Sequence, residues 1–104
     1  MEEQTLHREI KARLRAALGD RLRGVVLYGS FARGESSGES DLDLFVIVDR
    51  VAGLGDDLER IVRALYPMQL AMERPIHALP VAEETFEAGE FGIYRQAKAE
   101  GIVL

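Results

Sequence analysis

The sequence predicts an α/β or α+β domain built on a small sheet. Three observations carry that expectation. Apolar residues recur at three- and four-residue spacing at the start and in the middle of the chain, and short β-branched runs stand between these stretches. The 104 residues, 47% hydrophobic and 30% charged, suit a single domain over 1–104.

From Thr5 to Leu18, the residues Leu6, Ile10, Leu14, Ala17 and Leu18 share one helical face, with Thr5 as the expected N-cap and Gly19 as the stop. Val25 to Tyr28 is apolar and β-branched, and reads as a buried strand stopped by Gly29. "SFARG" reads as one helical turn from Ser30, and "ESSGES" as loop up to Asp41. "DLDLFVIVD" alternates Asp41 and Asp43 with Leu42 and Leu44, then turns wholly apolar to Val48. That pattern predicts a central strand, wet at its start and buried beyond.

Leu58, Ile61, Val62, Leu65, Met68 and Met72 predict a helix from about Asp56 to Met72, kinked at Pro67. The alternative ends it at Tyr66 and adds a strand after Pro67. "PIHALPV" reads as a third strand, "AEETFEAG" as a short acidic helix and "GIYRQAKAEG" as a last helix closed by Gly101. Glu83, Glu84, Glu87 and Glu90 read as a solvated helix face, and His7 as a solvated surface residue. Tyr66, Phe86, Phe91 and Tyr94 read as core or interface residues.

Composition narrows the function. The net charge is -5 and the Lys and Arg residues are scattered, which speaks against nonspecific binding to a nucleic-acid backbone. With no cysteine, disulfides, thiolate sites and thiol nucleophiles are excluded, and a metal must be held by oxygen or imidazole. That favours a hard ion such as Mg²⁺. The N-terminal stretch holds no apolar run fit for a signal peptide or membrane span, so a cytoplasmic protein is expected. A chain of this size buries only about two-thirds of its unfolded surface, which favours a homo-oligomer or a partner.

The chemistry concentrates in "GSFARGESSGESDLDL", Gly29 to Leu44. Gly29 after a strand permits close backbone approach, and Ser30 offers a hydroxyl and free N–H groups to an anion. Asp41 and Asp43, two apart on a strand, project from one face about 6.6 Å apart. Their like charges repel unless both stay wet or share a cation. Without a ligand, Gly and Ser serve the turn alone, Ser40 and Asp41 cap the loop, and Asp43 pairs with Arg33 or another arginine. In combination, a phosphate-suited turn and a metal-suited pair form the two halves of a Mg-nucleotide site.

"LYGSFARGESSGESDLDLFVIV" resembles the signature of the DNA polymerase beta-like nucleotidyltransferase superfamily, a Gly-Ser turn followed by Asp-x-Asp, and most closely its minimal stand-alone members. The resemblance implies a mixed sheet of three to four strands packed by helices, with Asp41 and Asp43 on its open face. It implies that Gly29 and Ser30 hold a nucleoside triphosphate such as ATP, and that Asp41 and Asp43 ligate Mg²⁺. Arg33 would touch phosphate or brace the loop, and Glu35 also matches the pattern. Active members carry a third carboxylate on a later strand, and alignment puts His77 at that position. His77 could accept a proton or ligate a metal; the alternative is a strand histidine with a hydrogen-bond partner. Neither Glu73 nor Asp49 is placed to substitute.

By the same resemblance the chain would transfer AMP from ATP to a partner protein, as the antitoxin beside a helical toxin of the HEPN class. The rival is a catalytically impaired nucleotide-binding module that neutralises its partner by contact. Transfer to a small molecule such as an aminoglycoside is a third reading.

Overall fold

The computed structural model describes residues 3–29 and 41–104. Helix α1 (Glu3–Leu18) runs through a single 3-10 turn (Gly19–Arg21) into strand β1 (Leu22–Tyr28). Strand β2 (Leu42–Val48), helix α2 (Leu54–Met72) and strand β3 (Ile76–Ala82) follow. Short helices α3 (Glu83–Ala88) and α4 (Gly92–Glu100) lead to a two-residue strand β4 (Ile102–Val103). The sheet order is β3-β2-β1-β4, with β1 antiparallel to β2 and β4, and β2 parallel to β3. The expected mixed sheet is observed, and β2 is central to it. Its parallel partner needs a long return crossover, which α2 supplies.

Alternation along β2 decides what each face of the sheet holds. Leu42, Leu44, Val46 and Val48 pack with Leu6, Ile10 and Leu14 of α1 and with Ile61, Leu65 and Met68 of α2. Phe45 and Ile47 point the other way and pack with Val26, Val81, Phe86 and Ala97. Asp43 shares that second face by its period of two, just short of the apolar cluster under α3 and α4.

Several boundaries differ from the expectations. Helix α1 starts at Glu3, so Thr5 lies within its first turn rather than capping it. Helix α2 starts at Leu54, two residues before the expected Asp56, but runs across Pro67 to Met72 as expected, and its cap residue Glu73 adopts φ 55° while its N–H reaches the carbonyls of Gln69 and Leu70. Burial of Ile61, Leu65 and Met68 on one stripe holds the helix across the proline, because tertiary packing outweighs one lost backbone hydrogen bond. The alternative strand after Pro67 is therefore not formed. His7 is half-buried rather than solvated, and its Nε2 has no hydrogen-bond partner among the described residues. It stands three residues before the buried Ile10, on the neighbouring strip of the helix.

The far end of β2 is fastened by charge. Arg21 donates from Nη1 to Asp57 Oδ1 at 3.0 Å and from Nη2 to Asp57 Oδ2 at 2.9 Å. Its Nη2 also donates to the Arg50 carbonyl at 3.1 Å, and its Nε stands 3.6 Å from Asp49 Oδ1. Asp57 is 1% exposed and accepts a further bond from the Ala52 N–H at 3.1 Å. The Arg21 hydrogen bonds hold its carboxyl below the usual carboxylate range, overcoming the cost of burial, with backbone N–H groups of Ala52 and Gly53 adding to the effect. No helix among the described residues is long and apolar enough to cross a membrane.

Candidate active site

Strand β1 ends at Tyr28, the register partner of Asp43 on β2. The next residue, Gly29, adopts φ 79°, a backbone region that an L side chain rarely enters. A Cβ at Gly29 would stand 2.8 Å from Asp43 Oδ2, so only glycine lets the main chain pass so near this carboxylate. Close approach, which the sequence suggested for a ligand, is thus also made to an acid of the site.

Asp41 immediately precedes β2, and Asp43 is its second residue. Asp43 pairs in register with His77 of β3, so both project from the same face. His77 Nε2 donates to Asp41 Oδ2 at 2.9 Å, with both side chains more than half exposed. The structure therefore brings together Gly29, Asp41, Asp43 and His77, four of the residues singled out from the sequence. Ser30, Arg33 and Glu35, with the expected helical turn and loop, lie outside the described residues.

Burial raises the Asp43 carboxyl above its ordinary range, the charge of Asp41 pushes the same way, and His77 opposes them. No Arg or Lys pairs with Asp43 among the described residues. Its charge is thus poorly compensated, a condition that an added cation relieves. No group of three His, Asp or Glu is arranged as a metal cage among the described residues. Two carboxylates nonetheless suit Mg²⁺, which commonly takes one or two such ligands and completes its shell with water and substrate phosphate. The donor set fits the metal only in company with a phosphate ligand.

An aromatic chain sets α4 beside this site. Tyr28 stacks on Phe45 at 4.0 Å between ring centroids and 7° between planes. Phe45 meets Tyr94 edge-on at 5.2 Å, and Tyr94 meets Phe91 edge-on at 5.5 Å. Burial raises the Tyr28 hydroxyl above its usual range, with the charge of Asp43 and Tyr94 adding to it, so the hydroxyl keeps its proton. Phe86 is buried and Tyr94 half-buried, as expected of core residues, while Tyr66 and Phe91 are exposed. Sequence reasoning missed Tyr28, whose only signal is its place next to Gly29. It also missed a cleft between the end of β1 and α4, bordered by Tyr28, Gly29, Ile93, Gln96 and Glu100.

Comparison with known proteins adds to this geometry. The nucleotidyltransferase domain family model matches residues 7–104. "Putative protein adenylyltransferase MJ0604" of Methanocaldococcus jannaschii is 27% identical over 105 residues, spanning 100% of this chain and 99% of that protein. The "putative minimal nucleotidyltransferase" of solved structure superposes with a TM-score of 0.64 at 23% identity, covering 100% of this chain and 97% of the other. A chain from the structure of a "toxin-antitoxin with AMP-PNP" superposes with a TM-score of 0.60 at 17% identity, covering 90% and 68%. At these identities the solved structures establish likeness of fold.

Proposed function

The chain belongs to the nucleotidyltransferase domain family, and from that premise we propose that it transfers AMP from ATP to a hydroxyl of a partner protein. In this reading Asp41 and Asp43 hold Mg²⁺, and Gly29 and Ser30 take the triphosphate, with Arg33 on phosphate or bracing the loop. Bound there, Mg²⁺ would neutralise charge on the triphosphate and favour in-line attack at the α-phosphorus. The acceptor oxygen bonds to that phosphorus, and pyrophosphate leaves.

His77 takes the acceptor's proton. Because Nε2–H is committed to Asp41, Nδ1 is the nitrogen left to accept it, and Asp41 Oδ2 holds the ring in that tautomer. Asp41 Oδ1 would then remain to hold the metal. The observation that carries the proposal is the meeting of Gly29, Asp41, Asp43 and His77 on one open face at the end of the central strand. The relative named as an adenylyltransferase supports AMP as the transferred group. The likeness in fold to a chain from a toxin-antitoxin structure is consistent with an antitoxin role, for which the family resemblance implies a helical HEPN-type toxin as the partner.

Calorimetric titration of MgATP into the wild type and into Asp41→Asn/Asp43→Asn tests the site. Binding is expected in the wild type, with a loss of at least tenfold in the variant; equal binding by both would sink the assignment. Transfer of label from α-labelled ATP to the partner then tests the reaction.

One observation favours a second reading, a nucleotide-binding module that neutralises its partner by contact. His77, which the resemblance aligns with the third carboxylate of active members, is no acid and is already bonded to Asp41. Full neutralisation by Asp41→Asn/Asp43→Asn would select this reading, and its loss would select transfer.

A further inference from the structure

Two directions lead from the carboxylates across the open face of the sheet. Toward β3 stand the exposed side chains of His77 and Leu79, the latter 41% exposed. Toward β1 lies the cleft of about 170 Å³ against α4. Gly29 belongs to both places: its main chain lies against Asp43, and it forms part of the cleft wall. The two are therefore contiguous. Sites for whole drug-sized ligands run to about 300–1,000 Å³, so this cleft suits one ring system of a larger ligand.

Its lining has two characters. The Tyr28 ring and Ile93, which is 50% exposed, offer apolar contact to a flat heterocycle. Gln96 and Glu100, one turn apart on α4, offer polar contact. Gln96 Nε2 donates to Glu100 Oε2 at 3.3 Å, which leaves two acceptors, the Gln96 carbonyl and the other Glu100 oxygen, beside the second Nε2 hydrogen as the one donor, none of them bonded among the described residues. With two acceptors to one donor, such an edge favours an exocyclic amine over a keto oxygen in the same place. Gly101 fixes the wall, because a Cβ there would stand 2.7 Å from Val26 Cγ1 and 3.0 Å from the Leu27 carbonyl oxygen, so the end of α4 lies directly on β1.

We propose that this cleft is the base subsite of the donor nucleotide, that it selects a base bearing an exocyclic amine, and that Gln96 and Glu100 are the specificity residues. The proposal rests on the nucleotide-transfer reading above and divides the open face between two substrates. The nucleoside extends over Tyr28 toward α4, and the acceptor reaches the α-phosphorus from the His77 side.

The test compares MgATP, MgITP and magnesium tripolyphosphate by calorimetry, in the wild type and in Gln96→Ala/Glu100→Ala. ITP replaces the amine of ATP with a keto oxygen, and tripolyphosphate has no base. The wild type is expected to bind ATP about tenfold more tightly than ITP, the scale of one hydrogen bond. The variant should lose that preference while its tripolyphosphate affinity and melting temperature stay unchanged, since both side chains are exposed. A wild type that binds ATP and ITP equally, or a variant that keeps the preference, overturns the base subsite alone. A wild type that binds neither ATP nor tripolyphosphate overturns the nucleotide reading, and this proposal with it.

Discussion

Asp43 is held where its charge is disfavoured. It is half-buried, faces the like charge of Asp41, and lies against the main chain of Gly29, and its raised pKa records the first two of these. Groups kept in such surroundings destabilise the fold while serving a site. Asp43→Asn is therefore expected to stabilise the protein by about 0.5–1 kcal/mol in metal-free urea unfolding while abolishing MgATP binding. A variant that is less stable would show that Asp43 serves the fold. The aspartate pair was legible in sequence because two-residue spacing on a strand has one geometric meaning. The hydrogen bond from His77 to Asp41 was not, because it joins residues 36 apart through a parallel register that no local pattern encodes.

At the scale of elements, amphipathic spacing located α1, α2 and the three longer strands, including the run of α2 to Met72. Pro67 left a stop at Tyr66 as the alternative, and α2 continues past it because Leu65 and Met68 on either side of the proline are buried. Pro67 itself is exposed, so its cost to the helix has no compensating contact in the core. Pro67→Ala should then raise stability by about 1–3 kcal/mol, read from the urea midpoint, without altering nucleotide affinity. No change would mean that the turn has already adapted to the missing N–H. Strand β4 escaped notice because two residues are too few to show a period, and only pairing of Val26 with Val103 and Leu27 with Ile102 defines it.

Across the whole molecule, the two ends of β2 do different work. Asp41 and Asp43 lie at its start, and Asp49, just past its end, joins the Arg21–Asp57 network, which was not foreseen because its members are scattered along the chain. Removing Arg21 leaves a buried carboxylate unpaired. Arg21→Ala should cost about 3 kcal/mol of stability while MgATP affinity in the folded protein stays the same. Coupled loss of both would show that the ends of the strand communicate. The pH dependence follows from Asp57, whose folded pKa lies below its ordinary 3.8. Its contribution is fully present above that ordinary value and fades as pH falls through the lower, folded one. Acid unfolding of the wild type should steepen in that window, and Arg21→Ala should flatten it.

The alternation on β2 also has a genetic reading. Loss of a single codon between Asp43 and Val48 would exchange the strand's two sides, sending one set of side chains where the other belongs. Substitutions can alter this strand one residue at a time, but a frame-preserving deletion within it would undo the aliphatic core and the acidic face together. Inheritance of the candidate site is in that sense tied to inheritance of the fold.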